Sequence, residues 1–238
     1  MGKKGGDTRI KRQMAPTFWD IRRKKSQFVL SVKSGSHSKD TAYPLGIFLR
    51  DILRLAHTMH EAERIVNAGK VKVDGITIKD INFAVGLMDV IELIPIGQSY
   101  RLVPKNSELL IPLNINDYEK TQKIVKVTSK GTIKGKKLQY GFHDGKTLIT
   151  DQKLMVGDSC LIQIPETKIN SHIKFAKACM VLVTRGENAG SIGRVQDIKD
   201  GIFSLPKRAL ISFSDRSVEL PVQLVMAIGD ESPIIKVS

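Results

Sequence analysis

The stretch TMHEAERIVNAGKVKVDGITIK, residues 58–79, contains the clearest local folding signals of this chain. Thr58 and Glu61, three residues apart, form the capping-box pattern that begins a helix, and Gly69 is suited to end one. Residues 70–79 then alternate in polarity on both sides of an Asp-Gly dipeptide, which is the pattern of a β-hairpin. The stretch therefore predicts a helix followed by two short antiparallel strands.

An apolar stripe upstream of this stretch predicts another helix. Pro44 suits a first helical turn, and apolar residues follow it at the 3.6-residue spacing of one helical face. They are Leu45, Phe48, Leu49, Ile52, Leu55 and Ala56. Arg50, Arg54 and His57 then share another face of the same helix. With a strand at residues 90–94, residues 43–104 are predicted to form a unit of two helices and a small sheet.

This unit resembles the S-four-type RNA-binding module, which is named after a small-subunit ribosomal protein. The pattern of that module, a "hG.V.VNG" hairpin and a "GDVI" strand, is matched by residues 68–75 (AGKVKVDG) and 88–91 (MDVI). Asp74 stands where the module usually has Asn, and Met88 where it usually has Gly. The resemblance implies RNA contacts from the polar helix faces and the following loop, here Arg50, Arg54, Lys70 and Lys72. The alternative is that Arg50 and Arg54 form exposed ion pairs with Asp51 or Glu61.

The net charge of +14, from 38 Lys and Arg against 24 Asp and Glu, indicates a polyanionic partner, and nucleic acid is the commonest one. Residues 1–40 alone hold 11 basic and three acidic residues. Residues 1–42 are therefore predicted to be a basic arm that follows a phosphate backbone, with Trp19 stacking on a base or filling a groove. The alternative is a solvated tail whose Trp19 packs back on the body. The basic residues predicted to contact RNA are Lys3, Lys4, Arg9, Lys11, Arg12, Arg22, Arg23, Lys24 and Lys25.

The remainder of the chain predicts two small all-β, barrel-like domains, residues 105–172 and 173–238, because short alternating strands are separated by turn residues. In the first, Lys134, Lys136 and Lys137 lie in basic turns that are predicted to contact phosphate, or else are ordinary solvated hairpin tips.

The last domain contains a glycine-rich segment, residues 184–195 (TRGENAGSIGRV), that resembles the KOW motif. That motif is a strand-loop-strand of ribosomal proteins and transcription elongation factors, and it contacts RNA or protein. The resemblance implies contacts from Arg185, Asn188 and Arg194. The alternative is a glycine-rich hairpin without a ligand.

Chemical and membrane functions find little support in the sequence. Cys160 and Cys179 fit no CxxC zinc pattern and lie among apolar neighbours, as buried reduced thiols of a cytosolic protein do. The five histidines form no HExxH motif, and no phosphate-binding GxxxxGK[ST] loop occurs. We therefore expect no enzymatic activity, metal, cofactor or small-molecule substrate. Without an apolar run of about 20 residues, we expect no membrane partner either.

The order of the parts resembles the small-subunit ribosomal protein family S-four-e along essentially the whole chain. Residues 11–19 (KRQMAPTFW) are similar to its "LKR.AAP..W" opening, residues 44–50 (PLGIFLR) to its "PL..FLR", and residues 86–91 (GLMDVI) to its "G.MDVI". Phe175 and the KOW-like loop fall where its "I.F" strand and "G.N.G..G.V" segment occur.

The resemblance implies an α+β multidomain protein of the small ribosomal subunit in the cytoplasm, one that binds folded small-subunit ribosomal RNA beside neighbouring small-subunit proteins. The distribution of the family favours an archaeal source. Two alternatives remain. One is an RNA-modifying enzyme subunit that uses the S-four-type module, and the other is a KOW-type regulator of transcription elongation.

Overall fold

The computed structural model describes residues 9–22, 24, 26–105, 108–214 and 216–237. Within these residues the chain forms three five-stranded antiparallel sheets, two short two-stranded sheets and a pair of helical segments. This architecture confirms the predicted α+β multidomain class. Lys3, Lys4, Arg23 and Lys25, which were predicted to contact RNA, lie outside the described residues.

The first unit begins with the arm and ends with a long hairpin. Its strands are β1 (Arg9–Lys11), β2 (Phe28–Leu30), β3 (Tyr43–Pro44), β4 (Val71–Val73), β5 (Ile76–Thr77), β6 (Ala84–Val85), β7 (Val90–Leu93), β8 (Gln98–Lys105) and β9 (Glu108–Ile115). Strand β1 pairs with β2 and β3 with β6, while the main sheet has the order β5-β4-β7-β8-β9. The predicted border between residues 104 and 105 falls in the β8–β9 hairpin, so we propose that this unit extends to Ile115.

The first helix is shorter than its apolar stripe predicted. It consists of α1 (Leu45–Ile47) and a wider π-helical turn (Phe48–Ile52), whose last hydrogen bond joins the Leu53 N–H to the Phe48 carbonyl at 2.9 Å. Arg54 then takes a left-handed conformation with φ +55°, which is incompatible with a continuing helix. The prediction that Arg50, Arg54 and His57 share one helical face is therefore wrong.

The second helix, α2 (Met59–Asn67), begins at the predicted capping box. The Thr58 hydroxyl accepts a hydrogen bond from the Glu61 N–H at 3.2 Å, and the Glu61 carboxylate accepts one from the Thr58 N–H at 3.3 Å. After the helix, Gly69 adopts φ +69°, a conformation in which a residue with a Cβ is strained. Strands β4 and β5 then form the predicted hairpin at Asp74 and Gly75.

The other two sheets account for most of the remaining chain. The central sheet has the order β12-β11-β10-β13-β14, and the C-terminal sheet has the order β18-β17-β16-β15-β19. Their strands are β10 (Gln122–Thr132), β11 (Leu138–Phe142), β12 (Thr147–Ile149), β13 (Ser159–Gln163), β14 (Lys168–Ile173), β15 (Met180–Val183), β16 (Ile192–Lys199), β17 (Arg208–Ser212), β18 (Ser217–Pro221) and β19 (Val225–Gly229).

Apolar packing joins the three sheets into one body. The core of the C-terminal sheet includes Val181, but also Met88 and Val103 of the first unit and Ile124 of the central sheet. Met88 is fully buried and has φ +63°, a conformation that explains why Gly usually stands at this position in the S-four-type pattern. Cys160 and Cys179 are both free and buried, and burial raises the pKa of the Cys160 thiol to about 12.

Candidate nucleic-acid interface

The hairpin between β10 and β11 presents the densest group of exposed cations that the sequence predicted. Lys134, Lys136 and Lys137 are all exposed at its tip, where Lys136 has φ +57°. None of the three forms an ion pair with a described carboxylate. Further down the hairpin, the Lys130 ammonium lies 5.6 Å from the centre of the Tyr140 ring. The tip therefore projects unneutralised positive charge into solvent.

In the helical part of the first unit, the cations predicted to contact RNA differ in solvent exposure and in ion pairing. Arg54 and Lys70 are exposed and Lys72 is half-buried on β4. The Arg50 guanidinium instead lies 2.8 Å from the Asp51 carboxylate, with both side chains largely covered. For Arg50, the ion pair that was the alternative to RNA contact is therefore the arrangement observed.

The arm is folded onto the body over its described residues. Trp19 is 1% exposed, and its indole N–H donates a hydrogen bond to the Ala42 carbonyl at 2.9 Å. The observed arrangement is the alternative in which Trp19 packs back on the body, because its ring faces the core with Ile21 and Val29. The few apolar side chains of this stretch therefore pack against those of the first unit.

The arm's described basic residues divide into exposed and anchored ones. Arg9, Lys11, Arg22 and Lys24 are exposed. Arg12 is half-buried and donates a hydrogen bond to the Ile21 carbonyl at 2.9 Å, so its guanidinium stabilises the turn of the arm. The exposed four are free to approach a phosphate backbone, whereas Arg12 is placed to support the fold.

The KOW-like loop connects β15 to β16 and touches the first unit on one side. A Cβ at Gly190 would lie 2.6 Å from the Lys105 Cα and 2.6 Å from the Pro104 carbonyl oxygen. Arg185 and Arg194 are exposed, and Arg194 donates a hydrogen bond to the Glu231 carbonyl at 3.3 Å. The Asn188 side-chain oxygen accepts a hydrogen bond from Arg216. Arg194 and Asn188 are thus both hydrogen-bonded within the protein, but Arg194 is exposed whereas Asn188 is half-buried.

A buried ion cluster, which the sequence did not predict, lies where the first unit meets the central sheet. The ammonium of Lys123 on β10 is fully buried and lies 2.7 Å from Asp74, 2.6 Å from Asp89 and 3.1 Å from Asp144. Lys146 also pairs with Asp74 at 2.9 Å. The position of Asp74, where the module usually has Asn, is therefore used to bind the central domain. The sequence around Lys123 carries no motif that would predict a buried ion pair for this lysine.

The cluster also reaches the arm through His37. The His37 Nε2 lies 3.0 Å from the Asp89 carboxylate, which in addition accepts the Gly86 N–H at 2.8 Å. Burial alone would raise the pKa of Asp89, but Lys123 and His37 outweigh it and hold this pKa well below its usual range. Burial opposes the charge of Lys123 in the same way, and its carboxylate partners outweigh it and raise the pKa of Lys123 above its ordinary value.

A second buried lysine, Lys126, joins the central and C-terminal sheets. Its ammonium donates hydrogen bonds to the carbonyls of Val222 at 2.6 Å, Gln223 at 3.1 Å and Val225 at 2.6 Å. Because burial is not offset by a carboxylate, it lowers the pKa of Lys126 to about 8. Lys123 and Lys126, on one strand, thus hold the central sheet to its two neighbours.

The described residues offer little for other kinds of chemistry. They contain no group of three or more His, Cys, Asp or Glu side chains placed to hold a metal ion. No helix among them is long and apolar enough to cross a membrane.

Comparison with known proteins identifies the class and then the family. Residues 47–91 match the S4 domain, residues 4–40 the RS4NT (NUC023) domain and residues 96–169 the Ribosomal family S4e. The fold is similar to the crystal structure of the 30S ribosomal protein S4e from Thermoplasma acidophilum, with 35% identity, a TM-score of 0.69, and coverage of 81% of this chain and 97% of that one. These matches define an S4-domain protein with two further β-sheet units.

Similarity to curated relatives extends over nearly the whole chain. The small ribosomal subunit protein eS4 of Pyrobaculum islandicum is 37% identical over 96% of this chain and 98% of its own length. The eS4 protein of Korarchaeum cryptofilum is 37% identical over 99% of both chains. The chain therefore belongs to the S4e family of ribosomal proteins, which confirms the family that its motifs predicted.

Proposed function

We propose that this protein is a structural constituent of the small ribosomal subunit, where it binds and stabilises folded small-subunit ribosomal RNA. Its membership of the S4e family and its S4 domain support this role over the two alternatives, an RNA-modifying enzyme subunit and a KOW-type elongation regulator. The proposal includes neighbouring small-subunit proteins as partners, a cytoplasmic location and no enzymatic activity.

The observation that carries the proposal is the contrast between buried and exposed cations. Lys123 and Lys126 are neutralised or hydrogen-bonded inside the body and fix the three sheets relative to one another. Lys134, Lys136 and Lys137, at the tip of the β10–β11 hairpin, instead remain exposed and form no ion pair with a described carboxylate. A rigid body with unneutralised surface cations suits RNA, which is recognised through shape and phosphate contacts.

We propose a reduced set of RNA contacts for the described residues, chosen because these side chains are exposed or half-exposed. The set is Arg9, Lys11, Arg22, Lys24, Arg54, Lys70, Lys72, Lys134, Lys136, Lys137, Arg185 and Arg194. Arg12, Arg50 and Asn188 are left out because each is half-buried and also engaged within the protein. The proposed units are the arm with the first sheet as far as Ile115, the central sheet to about residue 173, and the C-terminal sheet.

Binding of the purified full-length chain to transcribed small-subunit ribosomal RNA, measured across a salt series, tests the proposal. Replacing Lys134, Lys136 and Lys137 together by Gln removes three unpaired charges. We expect weaker binding and a salt dependence reduced by about one unit of log K against log[salt] for each phosphate that the variant no longer neutralises.

The matched control is the triple replacement of Lys177, Lys199 and Lys207 by Gln. Each of these lysines already pairs with a carboxylate, at 2.7 Å, 3.0 Å and 2.9 Å respectively. The control removes the same formal charge, so an equal weakening of binding in both variants would contradict the assignment of the hairpin. Binding of a purified bacterial transfer RNA with the same affinity as ribosomal RNA would contradict the proposed partner.

A further inference from the structure

The turn between β16 and β17 exposes a concentration of apolar surface. The side chain of Phe203 is fully exposed to solvent, and those of Ile202 and Leu205 are 73% and 44% exposed. We call these three side chains the apolar tip. Large apolar groups in contiguous exposed positions cost free energy in water, and they commonly mark a surface that a partner covers.

The apolar tip is held by an ordered turn. The N–H of Ile202 donates to the carbonyl of Leu205 at 3.0 Å, and the N–H of Leu205 donates back to the carbonyl of Ile202 at 2.8 Å. Gly201 closes the base, because a Cβ there would lie 3.0 Å from the Leu205 carbonyl oxygen and 3.1 Å from the Lys207 nitrogen. The two hydrogen bonds order the backbone that carries Phe203, so little backbone entropy is lost when a partner covers the tip.

The charges beside the apolar tip are compensated within the protein. Lys207 pairs with Asp200 at 2.9 Å, and Lys199 and Arg208 both pair with Glu219, at 3.0 Å and 3.4 Å. The β10–β11 hairpin has the opposite character, with three unpaired lysines. Within residues 197–210 every cation, namely Lys199, Lys207 and Arg208, is therefore already paired with a carboxylate. Aromatic platforms for RNA combine stacking with free positive charge, and none is available in this segment.

We propose that the apolar tip is a docking point for an apolar pocket of another protein in the small ribosomal subunit, with Phe203 as the central inserted side chain. Aromatic anchors in desolvated pockets dominate the affinity of protein interfaces, while compensated charges suit the polar rim. The inference rests on the proposed ribosomal function, and it goes beyond that function by assigning this face of a basic protein to protein rather than to RNA.

Photocrosslinking from assembled particles tests the proposal. The full-length chain is expressed in cells with p-benzoylphenylalanine in place of Phe203 or, as the comparison, in place of Lys136. Small subunits are then isolated by sedimentation, irradiated and treated with ribonuclease. We expect the adduct from position 203 to contain a peptide of one small-subunit protein, and the adduct from position 136 to carry nucleotides.

Each other outcome has a distinct meaning. Nucleotides on the adduct from position 203, a link between two copies of this chain, or no adduct would overturn the docking proposal while leaving the ribosomal function intact. Absence of the chain from isolated small subunits would overturn the proposed function itself, and the docking proposal with it.

Replacement of Phe203 supplies a second measurement. We expect Phe203→Ser to dissociate from small subunits about tenfold faster than the unmodified chain in high salt, where phosphate contacts are screened and apolar contacts are not. Phe203→Leu, which keeps the apolar contact, serves as the conservative control and should retain most of the lifetime. Equal dissociation of the serine variant and the unmodified chain would contradict the proposal.

Discussion

The ammonium of Lys123 lies 2.6 Å from a carboxylate oxygen of Asp89, although the two residues belong to different units of the fold. Asp89 leads into β7 of the first unit, and Lys123 lies on β10 of the central sheet. Both side chains are almost completely buried, so the pair stabilises the junction only while both charges are present. Together with Lys126 on the same strand, this contact makes three sheets a single body.

Removal of the buried ammonium should be severely destabilising. We expect Lys123→Met to lower the free energy of unfolding by about 3–5 kcal/mol, because it leaves the carboxylates of Asp74, Asp89 and Asp144 buried with less compensation. Urea denaturation followed by circular dichroism measures this change. The matched control is Lys120→Met, which breaks an exposed pair with Asp117 and should cost less than about 1 kcal/mol. Equal costs for the two variants would contradict the role given to Lys123.

Lys126 should make stability depend on pH in the alkaline range. Its pKa is lowered by burial from 10.5 to about 8, so between these values the unfolded chain binds more protons than the folded one. Stability contributed by this site therefore rises as pH increases from 8 to 10.5.

Comparison of the unmodified chain with Lys126→Met isolates this effect. As pH rises from 8 to 10.5, we expect the free energy of unfolding of the unmodified chain to increase by up to about 3 kcal/mol relative to that of Lys126→Met. Denaturant titrations at a series of pH values provide the measurement, and parallel profiles for the two proteins would show that Lys126 stays protonated.

The fluorescence of Trp19 should change when the protein unfolds but not when it binds RNA. Because its ring is buried and its indole N–H is bonded to Ala42, we expect its fluorescence to be unchanged when RNA binds. Strong quenching by RNA would contradict this placement. We also expect Trp19→Ala to cost about 3–5 kcal/mol of stability. Phe203→Ala, at a fully exposed aromatic, should stay within about 0.5 kcal/mol of the unmodified chain.

Substitutions at two glycines of the KOW-like loop should distinguish the cost of backbone strain from the cost of a steric clash. Both have positive φ, +92° at Gly186 and +85° at Gly190, but only at Gly190 would a Cβ meet another backbone, that of Pro104 and Lys105. We expect Gly186→Ala to cost about 1–2 kcal/mol from strain alone. Gly190→Ala should cost clearly more, because the loop must also move away from the first unit. Thermal or urea denaturation of both variants measures the difference, and equal costs would show that this contact is unimportant.

Local signals in the sequence predicted the elements whose interactions are themselves local. The capping box of Thr58 and Glu61 and the turn at Asp74 and Gly75 are formed as expected, because each depends on residues only a few positions apart. The family was predicted for a similar reason, since several short motifs occur in a characteristic order.

Long-range contacts decided the features that the sequence did not predict. The burial of Trp19 depends on Ala42 and on the core of the first unit, and neither appears in a count of apolar residues within the arm. The apolar stripe predicted a helix through Ala56, but the wider turn after Phe48 and the left-handed Arg54 end it early. Lys123 lies 34 residues from Asp89 in sequence, so no spacing rule connects them.

Sedimentation of cell lysate through a sucrose gradient, at low and at high salt, tests the central claim most directly. If the protein is a structural constituent of the small ribosomal subunit, it migrates with small subunits in near-equal numbers at low salt and is released only at high salt, where phosphate contacts are screened. A pool that remains mostly at the top of the gradient at low salt would contradict the account.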